Sequence, residues 1–137
     1  MNVIDMKLMR YINLLDRVSH VRTRKCFVYN NVIVFAVPRM MMSQAIGPAA
    51  ANVRRLQEQL GKRIRIVIEP KGIEDASEFV RNVVSPIKFK SLEIKNGIFV
   101  LNAGSLSKAA LIGRNKKRLE ELQEIVRNNF GLDLKII

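Results

Sequence analysis

Two glycines, Gly47 and Gly113, stand in matching surroundings, and each could help to bind a phosphate group. Gly47 lies in "AIGPAAANVRRL", residues 45–56, and Gly113 lies in "LIGRNKKRLEEL", residues 111–122. Each glycine follows an isoleucine and precedes a helical pattern. The first N–H groups of a helix have no partner within the helix and carry partial positive charge, so they attract phosphate. The sequence therefore predicts a phosphate-binding loop at each glycine.

The two loops differ in chemistry. In the first, Pro48 has no N–H to donate and Ala49 has no charge, so we expect this loop to bind weakly. In the second, Arg114 and Lys116 add positive charge, and Asn115 tolerates a positive φ. A basic run at the start of a helix opposes the helix dipole, which is a further reason to expect an anionic partner there.

The same order of elements surrounds both glycines, and it predicts an internal repeat. Each half reads as helix, two strands around a turn, short helix, glycine loop, helix and strand. The first helix of each half is predicted over residues 4–18, with Asp5 as the N-cap, and over residues 73–84, with Asp75 and Glu78 as a capping box. Ser85-Pro86 ends the second of these helices.

The remaining elements repeat as well. Hairpins are predicted over residues 25–37 and 91–103, and Asn96-Gly97 is a strong type I′ turn signal that Asn30-Asn31 matches less well. The helices after the loops end at Gly61 and Gly131, and alternating strands follow at residues 63–69 and 132–137. These patterns predict an α+β protein with two domains, residues 1–69 and 70–137, each a three-stranded sheet packed against helices.

Composition restricts the class of partner. The 137 residues carry 24 Lys and Arg against 12 Asp and Glu, a net charge of +12, which favours nucleic acid. No apolar run is long enough to span a membrane, and Asp5 and Lys7 interrupt any signal peptide, so we expect a cytoplasmic protein without a membrane partner. Cys26 is expected to be a small buried residue, and His20 has no partner for metal binding or catalysis. We expect no enzyme activity, no cofactor, no metal and a monomer.

The order of elements, with Ile-Gly-x-x between two helices, resembles the type II KH domain, which has its extra helix at the N-terminus. A tandem pair of such domains resembles the archaeal NusA-like proteins. The similarity includes "MRYINLLDRV" at residues 9–18, "RKCFVYNN" at residues 24–31 and both glycine segments. The resemblance implies a role in transcription elongation or termination through RNA binding without catalysis. In KH domains the loop clamps the backbone of about four nucleotides of a single strand.

Both loops depart from the KH pattern, Gly-x-x-Gly, because Ala50 and Lys116 stand in place of the second glycine. Basic residues around the loops are therefore expected to supply part of the attraction to RNA. The predicted RNA-binding residues are Arg39, Ile46, Gly47, Pro48, Ala49, Ala50, Arg54, Arg55, Lys108, Ile112, Gly113, Arg114, Asn115, Lys116, Lys117 and Arg118.

We therefore predict a single-stranded RNA-binding protein that uses its KH loops and an extended basic surface, with RNA polymerase or other transcription proteins as further partners. Two alternatives stay open. In the first, the altered loops have lost RNA recognition, and a surface including Met40, Met41 and Met42 binds a protein partner. In the second, the RNA is structured ribosomal RNA.

Overall fold

The computed structural model describes residues 5–137, which form two compact units that divide between Glu69 and Pro70. We call residues up to Glu69 unit 1 and residues from Pro70 unit 2. The elements of unit 1 are α1 Met6–Ser19, β1 Lys25–Tyr29, β2 Val32–Val37, α2 Met42–Ile46, α3 Ala51–Leu60 and β3 Arg63–Ile68. Those of unit 2 are α4 Ala76–Val84, β4 Ser91–Lys95, β5 Ile98–Asn102, α5 Ser105–Ile112, α6 Lys117–Phe130 and β6 Leu134–Ile136. Short 3₁₀ turns precede α2, α3, α4 and α6.

Each unit contains one three-stranded sheet, in the order β1-β2-β3 and β4-β5-β6. The first two strands of each sheet are antiparallel, and the second and third are parallel. Parallel strands need a crossover connection, and in both units the crossover consists of two helices with the glycine loop between them. The structure confirms the predicted fold class: α+β, with two three-stranded sheets packed against helices in the order of tandem type II KH domains.

The two hairpin turns agree with the prediction from the sequence. Asn96 and Gly97 have φ of 52° and 76°, and Asn30 and Asn31 have φ of 51° and 63°. Two consecutive positive φ values are what a type I′ turn requires. The pairing of β1 with β2 has the same register as the pairing of β4 with β5, since Lys25 pairs with Ala36 and Ser91 pairs with Asn102.

The predicted N-terminal cap of the first helix is confirmed in unit 1 and wrong in unit 2. The side chain of Asp5 caps α1, because its carboxylate accepts the N–H of Lys7 at 2.9 Å; Ile4, the predicted first residue, lies outside the described residues. The capping box at Asp75 is wrong: Asp75 has helical φ and ψ and makes no side-chain cap. Its carboxylate accepts the N–H of Lys71 at 2.9 Å instead, so it closes the turn before α4. Ser85 ends α4 as predicted.

Each unit has an apolar core between its sheet and its helices. In unit 1, Leu15 of α1, Phe35 of β2 and Leu56 of α3 are completely buried. In unit 2, Phe130 packs edge-on against Phe79 and Phe99, with ring centroids 5.8 and 5.6 Å apart. Burial of each such side chain contributes about 1.5–3 kcal/mol.

Two details of the described chain refine the predictions from the sequence. Cys26 is buried in the unit 1 core as predicted, and burial, together with the nearby charge of Asp5, raises the pKa of its thiol to about 12. The last strand is shorter than the predicted 132–137, because β6 covers only Leu134–Ile136.

Across residues 5–137, no helix combines the length and apolar character that a membrane span requires.

Candidate nucleic-acid interface

The two glycine loops have nearly the same backbone conformation. Loop 1 is residues 47–50 and loop 2 is residues 113–116. Gly47 has φ 80° and ψ 165°, and Gly113 has φ 74° and ψ 172°. In each loop the last two residues are both left-handed, with φ of 50° and 60° in loop 1 and 55° and 60° in loop 2. A helix begins at the next residue in both cases. The repeat predicted from the sequence thus extends to the backbone of the loops.

Only glycine fits the first position of each loop. The combination of a positive φ with an extended ψ that both glycines adopt belongs almost entirely to glycine. A Cβ added to Gly47 would lie 2.9 Å from Cγ and Nδ2 of Asn52 and 3.0 Å from its backbone nitrogen. A Cβ added to Gly113 would lie 2.8 Å from Cγ of Arg118 and 3.1 Å from its backbone nitrogen. Each loop therefore folds back closely on the first turn of the helix that follows it.

The fourth position keeps a left-handed conformation although it is not glycine. Ala50 has φ 60° and ψ 29°, and Lys116 has φ 60° and ψ 21°. A residue with a Cβ in this conformation costs about 1–2 kcal/mol. The chain accepts this cost at both loops. The departure from Gly-x-x-Gly therefore leaves the loop shape in place and adds a side chain where the pattern has none.

Loop 1 is braced by its own unit. The guanidinium of Arg54 on α3 donates a hydrogen bond from Nη1 to the carbonyl oxygen of Ala49. The side-chain amide of Asn52 donates to the carbonyl oxygen of Gln44 at 3.0 Å, which ties α3 to α2. Of the predicted cations beside this loop, Arg54 is thus engaged with the loop itself. Arg55, the next residue, is exposed on α3.

Loop 2 concentrates positive charge at the start of α6. Arg114, Lys116 and Lys117 are exposed, and within the described part of the chain none of them forms a salt bridge. The stem of Arg118 covers Gly113, so this predicted site residue also shapes the loop. Glu120 in the first turn of α6 offsets part of this charge. An anion bound at the loop would relieve the rest of the repulsion between these cations and the positive end of the helix.

The other predicted residues lie on the helices that lead into the loops. Ile46 and Ile112 are the last residues of α2 and α5 and are half-buried. Lys108 is exposed on α5. Arg39 is exposed in the 3₁₀ turn before α2, at the opposite end of that helix from loop 1. Arg39 therefore does not belong to the loop itself.

Two arginines that the sequence analysis did not include among the site residues lie on the last strand of unit 1. Helix α2 packs against β3, an edge strand that carries Arg63 and Arg65. Burial, and then the neighbouring charge of Arg63, lowers the pKa of Arg65. Because alternate residues of a strand share a face and Ile64 and Ile66 pack in the unit 1 core, Arg63 and Arg65 lie on the other face of the sheet.

An exposed apolar side chain stands near the start of each helix that leads to a loop. Met40 is 91% exposed and Leu106 is 97% exposed, and the two occupy equivalent positions of the repeat. Met41 is 40% exposed, whereas Met42 packs against the unit 1 core. The methionine surface proposed from the sequence therefore contains Met40 and Met41 only.

Comparison with known proteins gives matches over most of the chain. No model of a known protein family matches it. Three archaeal proteins, each named "Probable transcription termination protein NusA", are similar in sequence. The protein from Halococcus morrhuae is 26% identical over 128 residues, which cover 91% of this chain and 90% of the relative. The protein from Methanocaldococcus jannaschii is 22% identical over 131 residues, covering 92% and 70%, respectively. The protein from Methanococcus vannielii is 26% identical over 110 residues, which cover 77% of this chain and 62% of the relative.

The fold also matches a solved structure. The structure titled "Crystal structure of APE1850" has a TM-score of 0.65 to this chain at 26% sequence identity. The match covers 98% of this chain and 100% of that one. The similarity in both sequence and fold therefore extends through both units.

Proposed function

We propose that this chain, an archaeal NusA-like protein, binds single-stranded RNA through its KH-type loops during transcription elongation or termination, without catalysing a reaction. The observation that carries the proposal is loop 2: a KH-like loop backbone with three exposed cations at the start of a helix. Its relatives are named for transcription termination, which supports the setting.

Loop 2 would bind RNA by two kinds of contact. Gly113 lets the chain turn back against α6, so backbone N–H groups and the positive end of the helix face an approaching phosphate. Arg114 and Lys116 add charge that a phosphate can neutralise. Because these contacts reach the backbone of the strand, they would fix its position and supply affinity, whereas the bases supply specificity.

Loop 1 would contribute less to affinity. Pro48 has no N–H, Ala49 has no charge, and Arg54 already donates to a carbonyl of the loop. Arg55, exposed on α3, remains as a source of attraction near this loop. We therefore assign the main phosphate clamp to unit 2 and an auxiliary role to unit 1.

The experiment is a measurement of RNA affinity for the variant Arg114→Ala with Lys116→Ala. Each lost phosphate contact lowers the slope of log affinity against log salt by about 0.7 for a single strand, so the slope should fall by about 1.4. The matched control is Lys95→Ala with Lys135→Ala, which removes two exposed cations of the same unit that lie outside the loop. Fluorescence anisotropy with single-stranded RNA across a salt series gives the affinity and the salt slope of each variant.

The outcome distinguishes specific from general attraction. Loss of slope in the loop variant together with a near-normal control supports the loop assignment. Equal losses in both variants would show that net charge alone attracts RNA and would refute it. Matched single-stranded DNA and duplex RNA, measured in parallel, test the preference for single-stranded RNA against the ribosomal alternative.

A second candidate function, protein interaction, is favoured by one observation. Met40 is almost completely exposed beside Met41, which is unusual for adjacent large apolar residues. The double variant Met40→Ser with Met41→Ser should leave RNA affinity unchanged and abolish capture of archaeal RNA polymerase if the surface binds that partner. Retained capture of the purified polymerase would refute this assignment.

A further inference from the structure

A repeated basic segment lies between the first helix and the first strand of each unit. In unit 1 it is Arg22-Thr23-Arg24, and in unit 2 it is Lys88-Phe89-Lys90, at the same offset that relates Gly47 to Gly113. The central residue is buried in both units, with 9% exposure for Thr23 and 6% for Phe89, and both flanking cations are exposed. The repeat therefore preserves a pattern of basic, buried and basic residues although none of the three side chains is identical.

Each segment is attached to an equivalent carbonyl group of the sheet. The hydroxyl of Thr23 donates to the carbonyl oxygen of Ala36, the last but one residue of β2. In unit 2 the backbone N–H of Lys90 donates to the carbonyl oxygen of Asn102, the equivalent of Ala36, at 2.7 Å. Different donors thus hold both segments at the same place on the sheet, with two cations on the outside.

Phe89 provides a second anchor in unit 2. The guanidinium of Arg81 on α4 lies 4.4 Å from the centre of the Phe89 ring and donates to the Phe89 carbonyl oxygen at 3.4 Å. The backbone of Lys88 and Lys90 is therefore held by both α4 and β5. A cation on a fixed backbone loses less freedom on binding an anion than one on a mobile loop.

The segment lies at the start of the helix that leads to the glycine loop. A Cβ added to Gly104, the N-cap of α5, would lie 3.2 Å from Cε of Lys90, so the lysine stem passes over this helix start. In unit 1, Arg22 and Arg24 line a cavity of about 740 Å³ together with Pro38, the equivalent of Gly104. Helix α5 has 8 residues and so is about 12 Å long, with the basic pair at one end and loop 2 at the other.

The two pairs differ in how far carboxylates neutralise them. Arg22 bonds Asp16 at 3.2 Å, and Asp16 and Glu69 both line the cavity beside Arg22 and Arg24. In unit 2 the position equivalent to Asp16 is Asn82, which has no charge. The pair in unit 2 thus keeps more of its positive charge, and it belongs to the unit with the cationic loop.

We propose that Lys88 and Lys90 form a second phosphate site, which binds the RNA backbone beyond the nucleotides held by loop 2. The inference rests on the proposed function, because it extends the path of the same strand along α5. Two cations on a fixed backbone, about one short helix away from the loop, suit the phosphates of a flexible single strand and offer no base-specific contact. Arg22 and Arg24 form a weaker equivalent in unit 1.

The test uses the full chain and RNA of two lengths. The variant Lys88→Ala with Lys90→Ala should bind a strand of about four nucleotides as the unmodified protein does, because loop 2 alone covers that length. With a strand of about twelve nucleotides, its salt slope should be about 1.4 smaller than that of the unmodified protein. The variant Lys95→Ala with Lys135→Ala is the control for removal of two cations.

Each result has a definite meaning. A loss confined to the long strand and absent from the control supports the second site. A loss equal to that of the control, or an equal loss for both strand lengths, overturns it while loop binding stands. Failure of the unmodified protein to bind either strand would refute the proposed function instead, and thermal unfolding followed by circular dichroism separates these cases from misfolding.

Discussion

Replacement of Gly47 by alanine tests whether the loop shape depends on close packing against α3. The new Cβ would have to occupy a conformation that is almost exclusive to glycine, which costs about 1–3 kcal/mol. It would also lie 2.9 Å from the amide of Asn52. Displacement of that side chain would break its hydrogen bond to Gln44, which contributes about 0.5–1.5 kcal/mol. Alanine also reduces the conformational freedom of the unfolded chain, which raises the free energy of unfolding by about 0.4–1 kcal/mol. Together these contributions give an expected net loss of about 0.5–4 kcal/mol, with a central value of about 2 kcal/mol.

The matched control is Gly61→Ala in the same unit. Gly61 also has a positive φ, 63°, but nothing lies within 4 Å of an added Cβ. Gly61→Ala should lower the free energy of unfolding by only about 0.5–1 kcal/mol, because the cost of the left-handed conformation is partly offset by the reduced freedom of the unfolded chain. Urea unfolding monitored by circular dichroism measures the free energy of unfolding of Gly47→Ala and of Gly61→Ala.

A third variant separates the contact from the backbone conformation. Asn52→Ala removes the side chain that the new Cβ meets, so the double variant with Gly47→Ala should lose less than the two single losses together. Equal losses for Gly47→Ala and Gly61→Ala, or strict additivity with Asn52→Ala, would refute the view that packing against α3 fixes the loop.

Two further predictions concern unit 1. Ala50→Gly should raise the free energy of unfolding by about 0.5–1 kcal/mol, since it removes a left-handed alanine. The control Ala51→Gly lies at helical φ −59° and ψ −41° and should lower the free energy of unfolding by a similar amount. A loss of stability at both positions in urea unfolding would contradict the assigned conformations. The raised pKa of Cys26 means that the unfolded state releases the thiol proton first, so stability should fall as the pH rises from 9.0 towards about 12. Unfolding of Cys26→Ala across this range should show a smaller decline, and an unchanged decline would assign the effect to other groups.

Local patterns in the sequence determined the order of elements. The turn at Asn96-Gly97, the helix ends at Gly61 and Gly131 and the Asp5 cap each depend on a few adjacent residues, whose allowed φ values and side-chain donors are fixed by residue type. The repeat of the hairpin and loop signals at an offset of 66 residues, and of the helix ends Gly61 and Gly131 at an offset of 70, predicted two similar units. Both glycine loops followed from the same reasoning.

Only the tertiary structure decided how these elements are used. Asp75 could cap α4 by sequence, but its carboxylate bonds Lys71, because several donors compete for one acceptor. Ala50 and Lys116 are poor candidates for a left-handed backbone, yet both adopt it, since each loop must join two helices within one crossover. The position of Lys90 over Gly104 depends on the packing of distant segments. Local preferences of about 1 kcal/mol set the elements, and the larger free energy of packing selects which preferences are overruled.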